Sequence, residues 1–336
     1  MVLVGTVWRH GCRHSSLHMD VRFLACPSEN HMPPTPSRDQ IKPSPYRRRI
    51  LDLLRARNIS WLEITTSDRA SETTDLAIPC NRLLKMSTKF VIVGAPRTGS
   101  TLLVRTLNQL DGVCCHGELL GEDHVRGFED GVDLVSMSQA ERKARLERLL
   151  LERNSDPVGF IDRSLDVGGT ATGFKALYSA LLNPRWRDII TRLKGMDNIR
   201  FVHLTRSNGL RRFISEQILL QGGPNHSGAG GRSDVAMQVH VDIDLFQRRC
   251  AELETQASQI DALLSRQAVL PMTYEALAAD TAATVAQVCQ FLGMDIAAPA
   301  ITPALQKVGA TDLRHSVSNY QELLDHPATR ALALAD

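Results

Sequence analysis

The chain has no apolar run approaching the roughly 18 to 20 residues that span a bilayer. Arg9, His10, Arg13, His14, Asp20 and Arg22 interrupt its first 26 residues, so neither a signal peptide nor an integral membrane segment is expected. Strong charge of one sign is lacking too. With 39 basic and 37 acidic side chains the formal charge is +2, which leaves no extended electrostatic footprint for nucleic acid or anionic lipid. Nucleic acid is therefore not an expected partner, and any anion site has to be local. The seven cysteines contain no CxxC pair and no metal-ligand spacing, and the neighbours Cys114 and Cys115 cannot readily bridge each other without strain. A reducing, cytoplasmic setting is expected.

Length and composition leave room for a sizeable core: 336 residues at 43% hydrophobic content suit one large α/β domain with an appendage, or two small domains. Residues 1 to about 48 show no helix or strand periodicity, and Pro33, Pro34, Pro36, Pro43 and Pro45 would interrupt either. Residues 46–66 carry a basic helical pattern followed by a short strand-like run, too little to bury a core alone. Met86 stands directly before the first strong strand. Residues 1–85 are therefore expected to be a poorly structured extension or a start-site artefact, and residues 86–336 one domain.

From Lys89 the pattern changes. Phe90-Val-Ile-Val93 is a continuous apolar, β-branched run of the kind that forms a strand buried on both faces, which implies a parallel sheet. A glycine-containing turn and a helix from about Ser100 to Leu110 follow. The unit recurs as a strand at Ile199–Leu204 with a helix at Leu210–Leu220, and as a strand at Val269–Thr273 with a helix at Thr281–Leu292 ended by Gly293. Thr172–Leu177 reads as a further strand, with helices at about 138–153 and 242–265. The expected fold is α/β, a P-loop-like parallel sheet flanked by helices. Gly222–Gly231 is too glycine-rich for regular structure and reads equally as a lid or a linker.

Gly94-Ala-Pro-Arg-Thr-Gly99-Ser100-Thr101 has the G-x-x-x-x-G spacing of a phosphate loop in the right context, after a buried strand and at the start of a helix. Ser100 stands where a Walker loop has lysine, leaving Arg97 as the loop's formal cation. The strand at Ile199–Leu204 runs on into Thr205-Arg206, where a Walker B strand would end in an aspartate that organises Mg²⁺. Backbone amides and a helix dipole still favour a phosphate here, and a strand-end arginine suits a second anionic group. A site without metal is expected. The plainer alternative is a generic turn beside a surface arginine.

The run from Ala95 to Leu103 resembles the 5′-phosphosulfate loop of sulfotransferases that use 3′-phosphoadenosine-5′-phosphosulfate (PAPS), in its bacterial Arg variant. Phe201-Val-His-Leu-Thr-Arg-Ser207, continuing through Ser215, resembles the 3′-phosphate segment of the same family, although the serine lies nine positions after the arginine rather than eight. His116-Gly-Glu-Leu-Leu120, Gly173-Phe-Lys175, Tyr274-Glu275 and Ser318-Asn-Tyr-Gln-Glu-Leu323 are similar to segments of the nodulation-factor branch. The resemblance implies PAPS as co-substrate without metal. It places Pro96, Arg97, Thr98, Gly99, Ser100 and Thr101 on the 5′-phosphosulfate, and Arg206 and Ser215 on the 3′-phosphate. It makes Glu118 the general base, with His116 as the rival, and sets Lys175 against the transferring sulfuryl group. Tyr274-Glu275 reads as an anchor between strand and helix. Lys307 and Arg314 either close over the nucleotide or are solvated charges. A carbohydrate or glycolipid acceptor follows from the branch alone, and a homo-oligomer stays open. Two other classes remain: a P-loop kinase or NTPase with a degenerate lysine, and a non-catalytic module that binds adenosine 3′,5′-bisphosphate.

Overall fold

A strand whose side chains alternate between two faces can be apolar throughout only if both faces are covered. The computed structural model, which describes residues 87–223, 237–296 and 312–335, shows this for β1, Thr88–Gly94, where residues 90 to 94 are all buried. The expected N-terminal extension, the glycine-rich stretch from 224 onward and Lys307 lie outside the described residues. The other strands are β2 (Val113–Glu118), β3 (Ala171–Leu177), β4 (Ile199–Thr205) and β5 (Val269–Thr273). All pair in parallel, in the order β2-β3-β1-β4-β5.

Central β1 sends Phe90 and Ile92 to one face, where they meet Leu103 and Leu107 of α1 (Ser100–Leu107). Val91 and Val93 go to the other face. There they join Phe160 and Ile161, Ile189 and Leu193, and Leu253 and Ile260 from three further helices. Helices α2 (Gln139–Ser155), α3 (Pro157–Leu165), α4 (Tyr178–Leu181) and α5 (Arg187–Lys194) lie between β2 and β4 in sequence. Then come α6 (Gly209–Leu220), α7 (Ile243–Leu264), α8 (Tyr274–Ala279) and α9 (Thr281–Phe291). Two short helices, α10 (Tyr320–Asp325) and α11 (Arg330–Leu334), pack with α6 and α7 around Leu210, Phe213, Phe246 and Leu323.

Helix ends follow local chemistry. Ser138 and Glu141 form a reciprocal capping box on α2, and Asp280 accepts from the Ala283 amide at the start of α9. Gly293, at φ 78°, closes α9 as expected: the Met294 and Gly293 amides return to the Cys289 and Gln290 carbonyls. β2 and helices α3 to α5 were not anticipated.

Close approach of strands at Gly173 leaves no room for a side chain. A Cβ there would lie 2.3 Å from the Phe90 carbonyl oxygen in the middle of β1. Gly173→Ala is expected to lower unfolding stability by about 1 to 3 kcal/mol, the usual cost of overpacking. A urea denaturation curve with an unchanged midpoint would contradict it.

Candidate active site

The loop between β1 and α1 is drawn tight against its neighbours. A Cβ on Gly94 would fall 2.6 Å from the Leu204 carbonyl of β4, and one on Gly99 2.5 Å from the Tyr274 ring. Gly99 sits at φ 83°, and Arg97 adopts the left-handed region at φ 68°, a conformation held only where surroundings over-determine it. Two bonds do so: Thr98 Oγ1 donates to the Ala95 carbonyl at 2.9 Å, and Arg206 Nη1 donates to the Arg97 carbonyl at 3.1 Å. α1 begins after Gly99 without a side-chain cap, so the positive end of its dipole lies at the loop with no cap side chain over it. Pro96 is half-buried, and Thr98 and Ser100 are buried.

Arg206, just past the end of β4, stacks over the Tyr274 ring at 4.4 Å. Its buried Nε has no hydrogen-bond partner among the described residues. Burial pushes the Arg206 pKa below its ordinary value, and does the same for Arg97. Arg97 Nε donates to Ser215 Oγ on α6 at 2.9 Å. The loop arginine, the strand-end arginine and the serine therefore form one contiguous group. Glu275 accepts from the Ser207 and Asn208 amides, both at 3.1 Å, and so ties β5 to the start of α6.

The other half of the site is made by β2 and β3. Cross-strand partners run Val113↔Ala171 to His116↔Phe174, then shift so that Glu118 faces Lys175. Without the irregularity at Gly117, residues 116 and 118 would point to the same face; the bulge turns them to opposite ones. Gly117 is required there, since a Cβ would lie 2.5 Å from the Arg126 carbonyl. Glu118 Oε1 pairs with Lys175 Nζ at 2.7 Å, and Lys175 also reaches Thr101 Oγ1 at 3.4 Å. Burial pushes the Glu118 carboxyl up, but the Lys175 ammonium, aided by His124, outweighs it and holds the carboxyl below its ordinary value.

His116 lies on the opposite face, fully buried and stacked on Phe128 at 4.9 Å. Its Nδ1 accepts from the Glu129 amide at 3.0 Å, and its Nε2 donates to the Ser164 carbonyl at 2.8 Å. Both ring nitrogens of this rival to Glu118 are therefore engaged by the backbone. Burial depresses its pKa below 6.5. A depressed histidine contributes stability above its unfolded value that is lost as pH falls through the folded value. The urea midpoint should therefore fall as pH drops below about 6.5, less steeply in His116→Gln than in the native chain.

Two supporting features had no signal in the sequence. Arg153, on α2 and fully buried, donates to the carbonyls of Leu119 (3.0 Å), His124 (3.1 Å) and Gly121, and lies 4.7 Å over Trp186. Burial lowers its pKa to about 10. It holds the 119–124 segment that follows Glu118. His124, Nε2 3.4 Å from Glu118 Oε2, sits in an irregular stretch without periodicity. Arg314 is exposed and paired with Asp312 at 2.6 Å. Among the described residues, no helix is long and apolar enough to cross a membrane, and no group of three or more His, Cys, Asp or Glu is placed to hold a metal ion.

Comparison with known proteins follows from this geometry. The chain is similar to the sulfotransferase domain from the curacin biosynthetic pathway (16% identity over 74% of this chain and 89% of that one, TM-score 0.42). It is also similar to a sulfotransferase from Alicyclobacillus acidocaldarius (19% identity, 74% and 96%, TM-score 0.37) and to the sulfotransferase domain of a Synechococcus olefin synthase (18% identity, 74% and 86%, TM-score 0.40). No curated protein sequence matches it. The sequence model described as "Sulfotransferase family" matches residues 89–298, from the start of β1 to beyond α9. That match spans more than half of the chain, which therefore belongs to the sulfotransferase family and is a sulfuryl-transferring enzyme.

Proposed function

We propose that the domain from residue 86 onward transfers a sulfuryl group from PAPS to a hydroxyl of a carbohydrate or glycolipid-type acceptor. The observation that carries this reading is the ion pair of Glu118 and Lys175, placed by Lys175's contact with Thr101 beside an uncapped helix start and the half-buried Arg97 and Arg206. The residues fit a nucleotide with two separated anionic groups. Among the described residues the Arg206 Nε–H is unpartnered, and the absence of side chains at Gly94 and Gly99 lets the loop lie close against β4 and Tyr274.

PAPS supplies an activated sulfuryl group on its 5′-phosphate. The amides from Gly94 to Thr101, with the Ser100 and Thr101 hydroxyls and Arg97, bind and orient that end. Arg206 and Ser215 hold the 3′-phosphate through charge-assisted and neutral hydrogen bonds. Lys175 stabilises charge on the sulfuryl oxygens. As its ammonium turns from Glu118 toward that anion, burial prevails over the weakened ion pair and the carboxylate becomes a stronger base for the acceptor hydroxyl.

Calorimetry with adenosine 3′,5′-bisphosphate, AMP, ATP and GTP, with and without Mg²⁺, tests the nucleotide. The bisphosphate should bind at least about tenfold tighter than AMP without a metal requirement, since a charge-assisted hydrogen bond contributes about 1.5 to 3 kcal/mol. Equal affinity for the two overturns the PAPS reading, and Mg²⁺-dependent preference for ATP or GTP favours a kinase or NTPase. Arg206→Ala should lose about tenfold or more in bisphosphate affinity while still melting in one cooperative transition. Arg206→Lys should recover only part, because an ammonium cannot reproduce the guanidinium fork.

Glu118→Gln separates enzyme from binding module. Transfer from PAPS to a panel of alkyl and aryl glycosides should fall by about 10² to 10⁴-fold, while bisphosphate affinity stays as it was. Native-level turnover in Glu118→Gln would remove Glu118 as the base. No transfer to any hydroxyl acceptor would leave a non-catalytic bisphosphate-binding module.

A further inference from the structure

Beside Glu118 lies a second group able to handle a proton. Asp123 Oδ1 is 2.7 Å from His124 Nδ1, and His124 Nε2 is 3.4 Å from Glu118 Oε2. An ionised carboxylate accepts and does not donate, so Nδ1 carries the hydrogen and Nε2 is left facing Glu118. Only one proton fits between those two atoms. Side-chain exposure rises along this line, from 21% at Glu118 to 28% at His124 and 90% at Asp123, so it leads from the site to bulk water.

Local structure holds the ring in that place. A Cβ on Gly121 would lie 2.4 Å from His124 Nε2, so glycine is needed for the ring to lie over it. Arg153 binds the His124 carbonyl and the carbonyls of Leu119 and Gly121, which fixes the backbone between Glu118 and the imidazole. The charged groups facing this corner are Asp123 and Arg126 on the segment itself, Glu118 and Lys175 from the sheet, Arg153 from α2, and Arg185 from the turn after α4.

We propose that His124 is a proton relay for the transfer reaction, taking the acceptor's proton from Glu118 at Nε2 and passing one proton to solvent from a ring oriented by Asp123. The proposal rests on Glu118 being the base. In the reaction the acceptor O–H bond breaks as its oxygen bonds to sulfur. The bond from sulfur to the 5′-phosphate oxygen breaks, and its electron pair stays on that oxygen. The proton goes to Glu118. Rotation about the last side-chain torsion of glutamate, which is broad and roughly two-fold, presents the protonated oxygen to Nε2. The imidazolium so formed releases one proton to water, and Glu118 is again a carboxylate.

The test uses the full chain, PAPS and the glycoside that turns over best, with octyl glucoside as the first probe. His124→Ala should slow turnover by about 10²-fold, the low end for a positioned proton-transfer group, with calorimetric affinity for adenosine 3′,5′-bisphosphate unchanged. Added imidazoles should restore turnover in proportion to their basicity. His124→Gln, which can still reach Glu118 with an amide but cannot take up and release a proton, should be as slow as His124→Ala. Ring ¹⁵N NMR of the native chain should show a protonated Nδ1, with the Nε2 signal moving in Glu118→Gln.

Native turnover in either His124 variant while Glu118→Gln is slow would overturn the relay and leave the base in place. Native turnover in both Glu118→Gln and the His124 variants would overturn the base and the relay together. Rescue that follows imidazole size rather than basicity, or an NMR spectrum with Nδ1 bare, would also overturn the relay.

Discussion

The parallel pairing of β1 with β3 on one side and β4 on the other is the constraint on which the rest depends. In parallel register, all strands end at the same edge of the sheet. Gly94, Leu177 and Leu204 are cross-strand neighbours at that edge, so the loop after β1, Lys175 on β3 and Arg206 after β4 are brought together although they lie far apart in sequence. The pairing needs close strands, and the absence of a Cβ at Gly173 and Gly94 permits it. Hydrophobic side chains on both faces then lock the register, because a slip of one residue would exchange the two faces of β1.

Charge is distributed unevenly around this edge. Toward β2 the cation Lys175 is compensated by Glu118, whose other carboxylate oxygen faces His124 Nε2. Toward β4, Arg206 meets an aromatic ring and a backbone carbonyl, while the neighbouring carboxylate Glu275 is occupied by two amides. Burial disfavours the charged form of such an arginine, and the Arg97 carbonyl and the Tyr274 ring offset part of that cost. The same group steadies the loop, since the Arg97 carbonyl in its left-handed conformation is held by Arg206. Loop geometry and the placing of both arginines are thus properties of one cluster.

Behind β2, Arg153 plays a similar part without a carboxylate in hydrogen-bond contact. Its guanidinium is used by backbone carbonyls, and Trp186 covers it with Arg185 at 4.6 Å on the same ring system. A planar fork of donors can satisfy several carbonyls of an irregular segment at once, which an ammonium does less well. That segment carries His124, so order beside Glu118 depends on a side chain from α2.

Local sequence determined what local physics controls. Continuous apolar runs marked β1 and β4, helical periodicity marked α1, α2, α6, α7 and α9, and Gly293 marked a helix end. Loop spacing likewise marked the tight turn between β1 and α1, because glycines and a following helix are sufficient signals in one stretch of chain. β2 escaped notice because an edge strand of Val-Cys-Cys-His-Gly-Glu has neither a long apolar run nor alternation. Only tertiary structure decided which of His116 and Glu118 faces Lys175, since that depends on a bulge at Gly117 and on contact with Arg126. It also decided that Arg97 meets Ser215, that Arg206 lies on Tyr274, and that His124 reaches Glu118. Those contacts join segments whose order and spacing carry no record of distance, so they exist only once the sheet has brought its strand ends together.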